Sequence, residues 1–237
     1  AQPATAVTHA VGPICFTSSQ PLDLVVVRAT RLEVLYLDPR GGSPSSTCKL
    51  PVNGRVSALQ AVRPVGVPRH LLLLMTEKRQ LVVLSFDGGS DGVGCLSTVA
   101  VGSLQEGIGR TPVDHPPFFA CDPGGHIAAA YLYEGMLQFV ALGAVPAAVC
   151  GCAGTGEGAP IDLGEAGQIY STQEAKPRLL DIAFLHTEAG RPLLATLHAD
   201  CHDLRTLLLW AVDAAARDLL PVGPGRGSGS TPEHPLQ

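Results

Sequence analysis

The sequence predicts an all-β protein built as an incomplete β-propeller, and three observations carry that expectation. An apolar run, a short polar turn and a second apolar run recur four times, at residues 22–27 with 31–37, 70–76 with 80–86, 126–132 with 135–142 and 192–198 with 204–212. Each unit reads as a β-hairpin, and hairpins recurring between loops mark an all-β array. Gly (27) and Pro (20) are plentiful while only 16 % of residues are charged. That suits many turns between short strands and not long surface helices, whose wet faces need Glu, Lys and Arg. An α/β alternative would need amphipathic helices of roughly ten or more residues between the strands, and Pro and Gly interrupt nearly every gap. Residues 207–220 are the one helix-compatible stretch, and their first half reads equally well as a strand.

The elements follow in chain order. Residues 22–27 are nearly continuous in aliphatics, as a strand buried on both faces should be. Arg28-Ala29-Thr30 is the turn, and 31–37 alternates, with Leu32, Val34 and Tyr36 on one face, until Asp38-Pro39-Arg40-Gly41-Gly42 breaks it. Residues 55–62 form a short strand ending at Arg63-Pro64. The second hairpin turns at Glu77-Lys78-Arg79, and 93–101 supplies one more strand beyond a Gly/Asp loop. Strand, hairpin and outer strand is the plan of a four-stranded propeller blade. The third hairpin turns at Tyr133-Glu134-Gly135; 143–160, rich in Ala and Gly, is expected to be a mobile loop insertion. Residues 179–186 are a strand feeding the fourth hairpin, which turns at 199–203. The expected partial propeller thus occupies 1–222, and 223–237 is a Gly/Ser/Pro tail in which no core forms.

A chain of 237 residues with 46 % hydrophobic content can bury a real core. Its net charge is −5, with no Lys/Arg block, so direct nucleic-acid binding by this segment is not expected, since that needs clustered positive charge to displace counterions. Seven Cys, an odd number without framework spacing, and no basic, apolar opening over 1–8 point to a reduced, intracellular setting. No run reaches the roughly 18–20 apolar residues of a membrane helix, so no membrane partner is expected. A start without Met and a low-complexity end lead to the expectation of a piece of something longer.

Candidate sites are few. His198-Ala199-Asp200-Cys201-His202 packs four potential metal ligands into five residues. A hairpin turn is polar anyway, and a metal site draws its ligands from separate elements. Cys150-Gly151-Cys152 lacks a partner pair at zinc spacing and the βαβ context of a redox motif. Gly107-Ile108-Gly109-Arg110 lacks the third Gly and following helix of a phosphate loop and reads as a tight bend between blades. Asp114, His115 and Cys121 form no catalytic set on sequence grounds, beside the extended Pro116-Pro117. No catalytic, cofactor-binding or metal-ligating residue is assigned, and no cofactor is expected.

Three stretches resemble a known family. The first is Pro3 to Ala10 with Cys15-Phe16-Thr17-Ser18, Leu22-Asp23-Leu24-Val25 and Thr30-Arg31-Leu32-Glu33-Val34. The second is Ile108-Gly109-Arg110, then Cys121-Asp122-Pro123, Ile127-Ala128, Leu132-Tyr133-Glu134-Gly135 and Phe139. The third is Leu180-Asp181-Ile182-Ala183-Phe184-Leu185. In order and over most of 1–212, these are similar to the large subunits of the damage-specific DNA-binding protein, the adaptors of cullin-4 ubiquitin ligases. The wider family includes large subunits of a cleavage–polyadenylation factor and of a splicing complex.

The resemblance implies a non-enzymatic subunit of three seven-bladed propellers, of which this chain covers about the first four blades. It implies substrate-receptor proteins and ubiquitin-ligase subunits as partners of the full-length form. It also implies roles in ubiquitination and DNA repair, and a nuclear and partly cytoplasmic location. The propeller that holds the cullin is absent, so no cullin binding by this chain alone is expected. Residues 143–160 look longer and more Gly-rich than the family's connection there. The alternative within the family is a scaffold of an mRNA cleavage–polyadenylation or splicing complex, with nucleic acid binding. A hydrolase on a propeller-like fold would require a convergent acid, base and nucleophile.

Overall fold

The computed structural model describes residues 6–64, 66–88, 94–104, 107–142, 161–165, 167–170, 178–186, 192–213 and 218–222. Every regular element among them is a strand, and the strands form four sheets. The first blade is the antiparallel meander β1 (His9–Ile14), β2 (Asp23–Arg28), β3 (Arg31–Tyr36) and β4 (Ser45–Pro51). The second is β5 (Val56–Val62), β6 (Leu71–Thr76), β7 (Gln80–Gly88) and β8 (Gly94–Ser103). The third begins with β9 (Phe118–Cys121), β10 (Ile127–Tyr133) and β11 (Met136–Ala141). The chain then leaves it: β12 (Ile161–Glu165) pairs in parallel with β8 of the second blade, and β13 (Gly167–Tyr170) returns to the edge of β11. The fourth is β14 (Arg178–Leu185), β15 (Leu193–Ala199), β16 (Arg205–Asp213) and β17 (Asp218–Pro221).

All four predicted hairpins are present, as β2–β3, β6–β7, β10–β11 and β15–β16. The described residues of the helix-compatible stretch are strand, in β16 and β17: β16 is ladder-bonded to β15 from Arg205 to Ala211, with Trp210 and Val212 turned toward the third blade. Leu32, Val34 and Tyr36 share one face, opposite Val27, Val25 and Asp23; Leu32 and Val34 are fully buried, and Tyr36, which ends the strand, is exposed. The expected loop at 143–160 and tail at 223–237 lie outside the described residues.

Packing between sheets makes this a propeller. The first strands touch in succession, β1 with β5, β5 with β9 and β9 with β14, and so form the inner wall. One apolar cluster fills each junction. Val25, Val27, Leu32 and Val34 meet Leu72, Leu74 and Leu84 between blades one and two. Leu71, Leu73, Met75 and Val83 meet Phe119, Ala128, Ala130 and Val140 between two and three. Ala129, Tyr131 and Phe139 meet Ile182, Leu194 and Val212 between three and four. The strictly alternating contributions of β6 explain why Leu71-Leu72-Leu73-Leu74-Met75 reads as an unbroken apolar run: successive side chains enter opposite junctions.

The two ends of this arc differ. The outward face of the first blade carries Glu33 bracketed by Arg28 (3.7 Å) and Lys49 (3.3 Å). The far face of the fourth is apolar: Leu207 is 63 % exposed and Leu220 51 %, and Leu193, Leu197 and Leu209 share that face by register.

Candidate interaction surface

One end of the arc gathers the hairpin tips and the loops between blades. Each tip holds a residue in the left-handed region: Ala29 (φ 57°), Arg79 (φ 62°), Gly135 (φ 67°) and Asp203 (φ 61°). Only Gly adopts this conformation without a Cβ penalty, so three of the four tips are held there by their surroundings. The amide of Val56 donates to the carbonyl of Ala29 (3.0 Å), and Glu77 N–H to Arg55 O (2.8 Å). Arg55 and Glu77 also form an ion pair (3.6 Å). Arg79 closes its turn on Thr76 (2.8 Å) and receives Leu104 N–H (2.8 Å).

Between the second and third blades these contacts become a latch. The Arg79 guanidinium donates to the Tyr133 hydroxyl. Arg110 Nη1 donates to the carbonyls of Glu134 (3.2 Å) and Gly135 (3.1 Å). Gly107 lies against the Tyr133 ring so closely that a Cβ there would sit 2.5 Å from Cγ. The expected tight bend at 107–110 is present, closed by Arg110 N–H on Gly107 O (2.9 Å) with Gly109 at φ 73°. Two motifs far apart in the chain, Ile108-Gly109-Arg110 and Leu132-Tyr133-Glu134-Gly135, are therefore the two halves of one contact. Ile108 projects from it, 91 % exposed.

At the junction of the third and fourth blades lies a cleft of about 550 Å³. Asp114 to Phe118 form one wall, and Arg178, Leu179 and Leu180 at the start of β14 form the other. The His115 ring stacks on Phe118 (centroids 4.3 Å apart, planes at 27°), and Phe118 on Tyr131 (6.2 Å, 17°).

The remaining sequence candidates resolve into structural roles. Asp200 Oδ1 accepts the amides of His202 (2.8 Å) and Leu204 (2.9 Å), an Asx-type brace for the fourth tip. His198 bonds Thr196 Oγ1 (2.9 Å). No group of three or more His, Cys, Asp or Glu side chains is placed to hold a metal among the described residues. Asp114 and His115 share the cleft; Cys121 does not line it, and its Sγ contacts the carbonyls of Asp122 and Ile127 (3.5 Å each). Burial pushes the Cys121 thiol far above its usual range, with the Asp122 charge adding to the effect, so it stays protonated and is a poor nucleophile. Cys150 and Cys152 lie outside the described residues.

On the opposite end, the resemblance motifs also brace turns. Asp23, fully buried, accepts Phe16 N–H (2.9 Å) and Thr17 N–H (2.7 Å) on Oδ2 and the Thr17 hydroxyl (2.7 Å) on Oδ1. Asp122 holds His126 Nδ1 at 2.8 Å, and Gly124 leaves the space for that ring. Phe118 and Arg178 carried no signal in the sequence as cleft residues. Their meeting depends on how two blades pack.

A family model described as the RSE1/DDB1/CPSF1 first beta-propeller matches residues 6–234. The chain belongs to this family. DNA damage-binding protein 1a of Arabidopsis thaliana is 30 % identical over 218 residues, covering 91 % of this chain and 18 % of the relative. DNA damage-binding protein 1b of the same plant is 29 % identical over 214 residues, and DNA damage-binding protein 1 of Solanum lycopersicum 28 % over 218. The chain spans about a sixth of the length of these relatives, 17–18 % of each. It is a propeller scaffold of the DDB1/CPSF1 kind, as its hairpin repeat and its three motif groups predict.

Proposed function

We propose that this chain is a non-catalytic protein–protein interaction scaffold, part of an adaptor resembling that of the cullin-4 RING ubiquitin ligases, acting in protein ubiquitination and DNA damage repair. The match of the first-propeller family model over 6–234, together with relatives named for DNA damage binding, supports the reading. The physical mechanism is a rigid β framework whose braced tips offer exposed side chains, Ile108 foremost, to partner loops or helices. The proposed partners are substrate-receptor proteins and, for the longer protein, ubiquitin-ligase subunits. The proposed location is the nucleus, with a cytoplasmic fraction. Direct nucleic-acid contact is not part of the proposal, because basic and acidic residues are interspersed and the net charge is −5.

Affinity purification of the intact gene product from its own cells tests this. A cullin together with receptor proteins is the expected recovery. Recovery of polyadenylation or splicing factors with neither would overturn the ligase role in favour of an RNA-processing scaffold.

A further inference from the structure

We propose that the contact between His70 and the backbone of Cys15 is a pH-operated clasp on the junction of the first two blades, closed while the imidazole is neutral and released when it is protonated. The device belongs to the fold and holds whichever partners the chain binds.

The clasp sits at the end of the arc opposite the hairpin tips, where the chain passes from β1 to β2. Three consecutive amides of that passage are taken by two titratable side chains. Cys15 N–H donates to His70 Nδ1 (3.2 Å), and the amides of Phe16 and Thr17 donate to Asp23 Oδ2 (2.9 and 2.7 Å). His70 N–H in turn donates to Cys15 O (2.7 Å). His70 immediately precedes β6, so this reciprocal pair ties the first blade to the second. The segment it holds is a plug. Cys15 is buried, and Phe16, fully buried, packs in the apolar cluster of the junction with its ring centroid 6.0 Å from that of Phe86.

Protonation removes one of these bonds. A neutral imidazole with its proton on Nε2 accepts at Nδ1, whereas an imidazolium only donates. The charged ring keeps a contact with Cys15 O, 3.3 Å from Nδ1, but its new N–H faces the Cys15 N–H, which is left without an acceptor. A buried donor in that state is costly, and the passage relaxes away from β6. The surroundings set where this happens. Burial holds the imidazole below its ordinary 6.5; the Cys15 carbonyl opposes this, and the Arg63 charge reinforces it. The Arg69 guanidinium is turned to Phe86 O (3.1 Å), and Asp23 is occupied by Phe16 and Thr17. Among the described residues no carboxylate bonds to the ring. The clasp is therefore whole above the ordinary value and opens as pH falls through the lowered one.

Hydrogen exchange of the full chain reads the clasp directly. Peptides containing residues 15–17 are followed by mass spectrometry from about pH 7.5 to about pH 5, corrected for the intrinsic pH dependence of amide exchange, with third-blade peptides over 127–141 as the reference. Protection at 15–17 is expected to fall about tenfold in one transition, the scale of one unsatisfied donor, while the third blade stays protected. His70→Asn offers a non-titrating amide oxygen in place of Nδ1 and is expected to abolish the transition. Arg63→Gln removes the reinforcing charge and is expected to move it to higher pH. A level profile at 15–17, a transition unchanged in His70→Asn, or a loss shared equally by the third blade would each overturn the proposal. If His70→Asn fails to fold, the unaltered chain and Arg63→Gln decide the matter: no transition in the first, or a shift to lower pH in the second, refutes the clasp.

Discussion

Replacing Gly107 by Ala tests the latch between the second and third blades. Gly107 is buried, and an added Cβ would lie 2.5, 2.7 and 2.8 Å from Cγ, Cδ1 and Cδ2 of Tyr133. Carbon atoms prefer about 3.5–4.0 Å, so the overlap is near 1 Å. The ring is 6 % exposed and its hydroxyl is held by Arg79, so it cannot swing aside cheaply. Overpacking of this kind costs about 1–3 kcal/mol. The opposing effect is small: Gly107 is absent from the positive-φ residues, so Ala fits the backbone and, through the unfolded chain, would alone stabilise by about 0.4–1 kcal/mol. The net expectation is a loss, lowering the thermal midpoint by about 2–4 °C per kcal/mol at this chain length. In a Tyr133→Leu background the branched but shorter side chain can retreat, and Gly107→Ala should become neutral or stabilising. A rise in midpoint for the single variant, or an equal loss in both backgrounds, would refute the contact as the cause.

Three further expectations follow from the same geometry. Asp23→Ala removes the acceptor of three hydrogen bonds at a fully buried position and should cost about 3 kcal/mol or more, because buried donors are left unsatisfied; urea denaturation measures it. Stability should fall on acidification in two stages. Burial holds the His70 imidazole below its ordinary 6.5, and the Ser46 hydroxyl, aided by Lys49 and Arg28, holds the Glu33 carboxyl below its ordinary 4.5. Both groups bind protons more readily when unfolded, so each contribution is whole above those ordinary values and fades as pH drops through the folded ones; His70→Asn should flatten the upper stage of the unfolding midpoint against pH. Finally, the chain by itself should self-associate through the apolar face of the fourth blade, and Leu207→Glu should shift sedimentation toward the monomer; a parent chain that is already monomeric would remove the basis for this.

The hairpins were legible because their strands are buried on both faces, which forces long aliphatic runs such as Leu71 to Met75. The innermost strands at 55–62 and 179–186 and the outer strand at 93–101 were legible as well, but β1 and β4 were not. In β4, Ser45-Ser46-Thr47 is exposed and polar, and only its ladder to β3 makes it a strand. β1 contains Gly12-Pro13, breakers that hide the pairing of His9, Ala10 and Val11 with Val27, Val26 and Val25. The latch was invisible for a different reason: Arg110 bonds backbone carbonyls, which leave no mark in the residue types they belong to.

The path of β12 affects the order in which this protein can be made. The second blade is completed, on its outer edge, by residues 161–165, which follow three strands of the third blade in the chain. During synthesis the second sheet therefore waits, with β8 unpaired on that side, until β9, β10 and β11 have emerged. The chain then turns back to add β13 to the third sheet. Neither blade is a self-contained unit of sequence. A break or insertion between β11 and β13 would strip an edge from both at once, and the pair is expected to open as one cooperative block rather than blade by blade.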